Sequence, residues 1–100
     1  MIKVSVDSNK NHITKINILG HADYDEYGKD IVCSSVSSIV TTTVNGIHEI
    51  NDKYLSVEEV KDGMIITILE DDKICYKLIQ NMLSLLSELS NSYPENIMIK

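Results

Sequence analysis

No arginine, tryptophan or phenylalanine occurs among the 100 residues, proline occurs once and cysteine twice. Each absence removes possibilities. A cysteine phosphatase grips its phosphate with an arginine fork, so that class is excluded. All the positive charge is lysine, nine residues against fifteen acidic ones, and the net charge of -6 disfavours phosphate neutralisation and hence nucleic-acid binding. A basic peptide is the better electrostatic match. Without Phe or Trp the core must be built from Ile, Val, Leu and Met, with the five tyrosines expected at its edges. The lone Pro94 lies near the end, and no linker, repeat or low-complexity tract interrupts the chain, so residues 1–100 are read as a single domain. No apolar run approaches the ~20 residues that span a bilayer. The opening Met1 to Val6 alternates like a strand and lacks the order of a signal peptide, which points to a cytoplasmic protein without a membrane partner. Cys33 and Cys75 fall in different segments with no metal or redox spacing, so both are expected as free thiols, with no metal and no cofactor.

The apolar pattern divides the chain into seven elements. Ile2, Val4 and Val6 alternate with polar residues, a polar turn covers Asp7 to Asn11, and Thr14, Ile16 and Ile18 share a face, which together predict a hairpin ending at Gly20. Residues 21–30 lack apolar periodicity and form an acidic loop. From Ile31 to about Ile50, the residues Val32, Val36, Ile39, Val40, Val44 and Ile47 fall on one side at about 100° per residue, predicting a helix. Thr41, Thr42 and Thr43 are β-branched and make a strand the competing reading there. Tyr54 to Val60 and Met64 to Leu69 flank Asp62-Gly63, a dipeptide suited to a two-residue turn. Asp71 and Asp72 open a second helix with a broad stripe from Ile74 to Leu89, and Ile97 to Ile99 suggests a closing strand. The order β-β-α-β-β-α-β predicts an α+β two-layer sandwich, with two helices on one face of a mainly antiparallel sheet whose strand order is not derivable.

Two reactive side chains bracket the acidic loop. With Asp30 as N-cap, its carboxylate accepts the Cys33 amide and the thiol sits in the first helical turn, where exposed amides and the helix dipole stabilise a thiolate. His21 is the available base. Attack on a peptide carbonyl would create an oxyanion, for which the amides of Cys33 and Ser34 are candidate donors. From spacing alone, a small buried cysteine and a polar histidine at a strand end remain the plainer reading. A metal site using these two residues has too few ligands.

Gly20-His21-Ala22, five residues, Gly28-x-Asp30-Ile31-Val32-Cys33 and then Val36-Ser37 closely resemble the signature of the bacterial ribosomal-processing cysteine proteases called Prp. The resemblance covers residues 20 to 37. It departs at Ser34 and Ser35, where the family often has Ala after the cysteine. It implies that His21 and Cys33 form a catalytic dyad and that the loop between them is a mobile lid; Gly20 and Gly28 suit its hinges because they lack a Cβ. It also implies a substrate, the N-terminal extension of the precursor of large-subunit ribosomal protein twenty-seven, and a homodimer. Asp30 caps the helix, orients His21, or does both, with capping favoured; Ser37, one turn after Cys33, is a supporting residue. A noncatalytic ribosome-assembly factor that binds the same ribosomal protein is the alternative function. Between Ile31 and His48 no residue carries a fixed charge, so this helix is expected to pack on more than one side, as is the wide second stripe.

Overall fold

The computed structural model describes residues 1–100, in the order β1 (Ile2–Asn9), β2 (His12–Leu19), α1 (Ile31–Ile50), β3 (Leu55–Val60), β4 (Gly63–Ile68), α2 (Lys73–Ser92) and β5 (Ile97–Ile99). The strands form one sheet in the order β3-β4-β2-β1-β5. β5 runs parallel to β1 and every other pairing is antiparallel. Register explains why the helices share a face. Val4 pairs with Ile18, Ile16 with Ile66, Leu55 with Ile68 and Ile2 with Ile97. Because side chains alternate along a strand, the buried strand residues Ile2, Val4, Ile16, Ile18, Leu55, Ile66 and Ile97 all point to one side. Both helices bury their stripes there, in one cluster of 18 buried residues.

The first hairpin turns more tightly than its polar stretch suggests. The strands run to Asn9 and from His12, and Lys10 and Asn11 take φ of 53° and 68°, the left-handed pair that suits a two-residue turn between twisted strands. The second hairpin corrects the expected turn. Val60 pairs with Gly63, so Lys61 and Asp62 make the turn and Gly63 already belongs to β4. Its glycine answers a different need, since a Cβ there would run into the carbonyl of Ile18 on β2.

α1 is unbroken through Thr41 to Thr43, so the competing strand does not form. Val32, Val36, Val40, Val44 and Ile47 are buried along it, each contributing roughly 1.5–3 kcal/mol, while β-branching costs at most about 0.7 kcal/mol per residue. Thr43 turns its hydroxyl back to the Ile39 carbonyl at 2.8 Å, which satisfies it within the helix. The uncharged residues Ser37, Ser38, Thr41, Thr42 and Asn45 are exposed in the single chain.

α2 starts at the Asp72 cap, whose carboxylate accepts the amides of Ile74 and Cys75. Its stripe is wider than the sheet and α1 cover, for Ile74 remains 63% and Leu85 38% exposed. Cys75 has no exposed surface, and burial, then the Asp72 charge, pushes its thiol up. One tyrosine departs from the expected edge position. Tyr54 is fully buried where the chain passes from α1 to β3, and burial pushes its phenol up to about 12. A core without Phe or Trp needs one large ring to fill the space at the helix end, and Tyr54 supplies it.

Candidate active site

Asp30 does the capping that its position suggested and ties down the preceding loop as well. Its Oδ1 accepts the amides of Val32 and Cys33, both at 3.0 Å, and its Oδ2 accepts those of Tyr24 at 2.9 Å and Asp25 at 3.3 Å. Partial burial pushes this carboxyl up. Bonds from the amides of Cys33, Tyr24, Asp25 and Val32 outweigh that effect and hold it below the usual carboxylate range. Asp30 makes no hydrogen bond to His21, so capping is the role seen.

A depressed folded-state pKa stabilises the fold above the carboxyl's unfolded value, and that contribution is lost as pH falls through the folded value. Asp30→Ala should therefore cost about 1–2 kcal/mol at neutral pH, since a cap and two loop bonds go together. Thermal melts across pH would show a deficit that narrows on acidification. A deficit that stays constant down to pH 2 would remove the carboxylate from this account.

On the other side of the loop, the chain leaves β2 through Gly20 at φ 98°, where a Cβ would strike the carbonyl of Met1. The Gly20 amide donates to the Asp62 carbonyl at 2.7 Å, which fastens this corner to the turn between β3 and β4. His21 projects outward and its Nε2 lies 3.2 Å from Asp62 Oδ1. Ala22 then dives into the core, with 1% of its surface exposed; its amide points at Cys33 Sγ at 3.4 Å and its carbonyl accepts Asn96 Nδ2 at 3.0 Å.

The loop is pinned at its base and free at its tip. The Met1 ammonium pairs with Asp23 at 3.3 Å, and the Tyr24 ring meets Tyr93 edge-on at 5.4 Å. Beyond Asp25 the connections are the Glu26 amide to the Asp25 carboxylate and those between Lys29 and Glu26. Tyr27 is fully exposed and Gly28 sits at φ 85°, a conformation that hinders any side chain.

Loop, helix and hairpin turn enclose a cleft of about 870 Å³. Its apolar lining comes from Ile2, Ile18, Val36, Val40 and Met64, and around these stand His21, Cys33, Asp30, Ser34, Ser37 and Asp62. The expected site residues are thus gathered in one place, with two corrections. The Cys33 amide is taken by the Asp30 side chain and the Ser34 amide donates to the Asp30 carbonyl at 3.1 Å, so neither is free for an oxyanion. With Asp30 as N-cap, the third helical amide is the one the cap's side chain accepts and the fourth makes the first intrahelical bond. The imidazole of His21 is also hydrogen-bonded to Asp62 rather than to the thiol, and the link to Cys33 runs through the next residue's amide. Asp62 and the Ala22 amide were invisible in the sequence, because Asp62 is 41 residues from His21 and a backbone group carries no residue signature. No three His, Cys, Asp or Glu side chains converge to hold a metal.

This arrangement puts a part-buried thiol, a histidine and an apolar channel together, on a fold that known proteins share. Among solved structures, the essential ribosomal processing protease Prp of Staphylococcus aureus with a covalently linked product peptide superposes at a TM-score of 0.94, with 28% identity, covering 100% of this chain and 98% of that one. The same enzyme with a substrate peptide gives 0.83 at 28% identity and the same coverage. SMU.848 from Streptococcus mutans gives 0.79 at 27% identity, covering 100% and 92%. The ribosomal processing cysteine protease Prp of S. aureus strain Mu50 is 30% identical over 101 residues, spanning 97% of this chain and 95% of its own length. Residues 1–98 match the family described as cysteine protease Prp, and on that match the chain belongs to this family of cysteine proteases.

Proposed function

We propose that the protein is an endopeptidase with Cys33 as nucleophile and His21 as base, and that it removes the N-terminal extension from the precursor of large-subunit ribosomal protein twenty-seven. One observation carries the first part. A cysteine protease needs a cysteine that a peptide can reach; Cys75 has no exposed surface, whereas Cys33 opens onto the cleft. The thiol gives its proton to His21, and sulfur attacks the scissile carbonyl. The amine leaves with the proton from His21, and water hydrolyses the thioester to release the acid and regenerate the thiol. The Ala22 amide already points at the sulfur, where it would stabilise the attacking thiolate.

The substrate reading rests on the relatives, which are named for ribosomal processing and one of which was solved with a substrate peptide. The cleft suits such a segment. Its floor is apolar, and at its margin Asp23, Asp25, Asp30 and Asp62 outnumber Lys29 and Lys61, a net acidic rim for a lysine-rich sequence. Work on ribosomal precursors belongs in the cytoplasm, and the uncovered edges of the α2 stripe support a homodimer. Incubation with the precursor, followed by product masses, tests the reading. A single cut near the precursor's N-terminus is expected, and an intact precursor after prolonged incubation would favour the noncatalytic assembly factor.

A further inference from the structure

Resting on the reading of His21 as the base, we propose that Asp62 is its positioning residue, a third member of the site supplied by the turn between β3 and β4. Two separate contacts bind this turn to the histidine. The Asp62 carbonyl accepts the Gly20 amide at 2.7 Å, which fixes the backbone immediately before His21, and Asp62 Oδ1 lies 3.2 Å from Nε2 of the ring. The next residue, Gly63, allows β4 to lie so close to β2 that a Cβ would meet the Ile18 carbonyl. Removing that space would push the turn away from the strand that leads into His21. All of these residues border the cleft.

The chemistry follows from which nitrogen is occupied. A carboxylate only accepts hydrogen bonds, so its contact holds the proton on Nε2 and leaves the Nδ1 lone pair for the thiol proton. When that proton arrives, the Asp62 charge stabilises the imidazolium, as an acidic partner does in hydrolases that use a third residue. The side chains of His21 and Asp62 are 69% and 55% exposed, so water screens the interaction and its effect is bounded. A bound peptide covers the same cleft and strengthens it during turnover.

Steady-state cleavage of the precursor peptide by Asp62→Asn, Asp62→Glu, His21→Ala and the His21→Ala/Asp62→Asn double variant tests this. Asp62→Asn keeps the turn's shape and removes its charge. We expect kcat to fall about fivefold with KM within about twofold, and Asp62→Glu to recover most of the loss. In the His21→Ala background Asp62→Asn should change nothing further, because the residue acts only through the ring. An equal loss in both backgrounds, a change confined to KM, or a kcat that is unchanged or raised by Asp62→Asn would overturn the proposal. A failure of the base assignment itself is separately visible, as a His21→Ala variant that still turns over at the wild-type rate.

Discussion

Cys33→Ala should bind the precursor peptide with nearly wild-type affinity and leave it uncut, with turnover lower by on the order of 10⁵-fold. The loss is this large because the thioester cannot form, and what remains is the small assistance given by binding and oriented amides. Folding should be preserved. Cys33 is only part-buried, its amide still reaches Asp30 Oδ1 after the substitution, and the sole hydrogen bond removed is the N–H···S bond from Ala22. Isothermal titration beside an overnight digest separates the two effects. A variant that still cuts would transfer the role to another group, and one that no longer binds would make Cys33 a packing residue of the cleft.

His21→Ala comes next in size, with an expected loss of about 10²–10⁴-fold in kcat, the usual worth of a positioned base and acid. An ordinary thiol is mostly protonated at neutral pH, so acylation without the ring must wait for the rare thiolate, and the leaving amine departs without its proton. Stability should hardly move, because the side chain is exposed and its only hydrogen-bond partner, Asp62, is exposed as well. The burial of Cys75 supplies a convenient second measurement. Iodoacetamide should label one sulfur per native chain, and the rate of that labelling should drop in His21→Ala. Activity within twofold of wild type would require another base.

The elements were readable wherever a local signal decided them. Asp30 and Asp72 announce the two helices, and the valine stripe of α1 outweighs the threonines at its middle because burial exceeds propensity several-fold. The gathering of His21 and Cys33 in one cleft was legible only through the family signature, since twelve residues of spacing say nothing of distance across a loop. Other features depend on partners remote in sequence. The parallel pairing of β5 with β1 joins the two ends of the chain, and the burial of Tyr54 depends on how α1 hands over to β3. The turn at Lys61 and Asp62 was misplaced by one residue because Gly63 serves the neighbouring strand rather than the bend.

The division of labour between the two oxygens of Asp30 sets how often the loop can open. Swinging Tyr24 and Asp25 outward breaks the two bonds to Oδ2 and leaves those from Val32 and Cys33 to Oδ1 intact. Two solvent-facing hydrogen bonds and the Tyr24–Tyr93 edge contact together amount to roughly 1.5–4.5 kcal/mol, so an open form on the order of a hundredth of the population is expected, against a far smaller globally unfolded fraction. The amides of Tyr24 and Asp25 should then exchange with deuterium well ahead of those of Val32 and Cys33, and matched rates would mean that loop and helix end open together. Exchange in that order would mean that the loop moves over Cys33 while α1 stays wound.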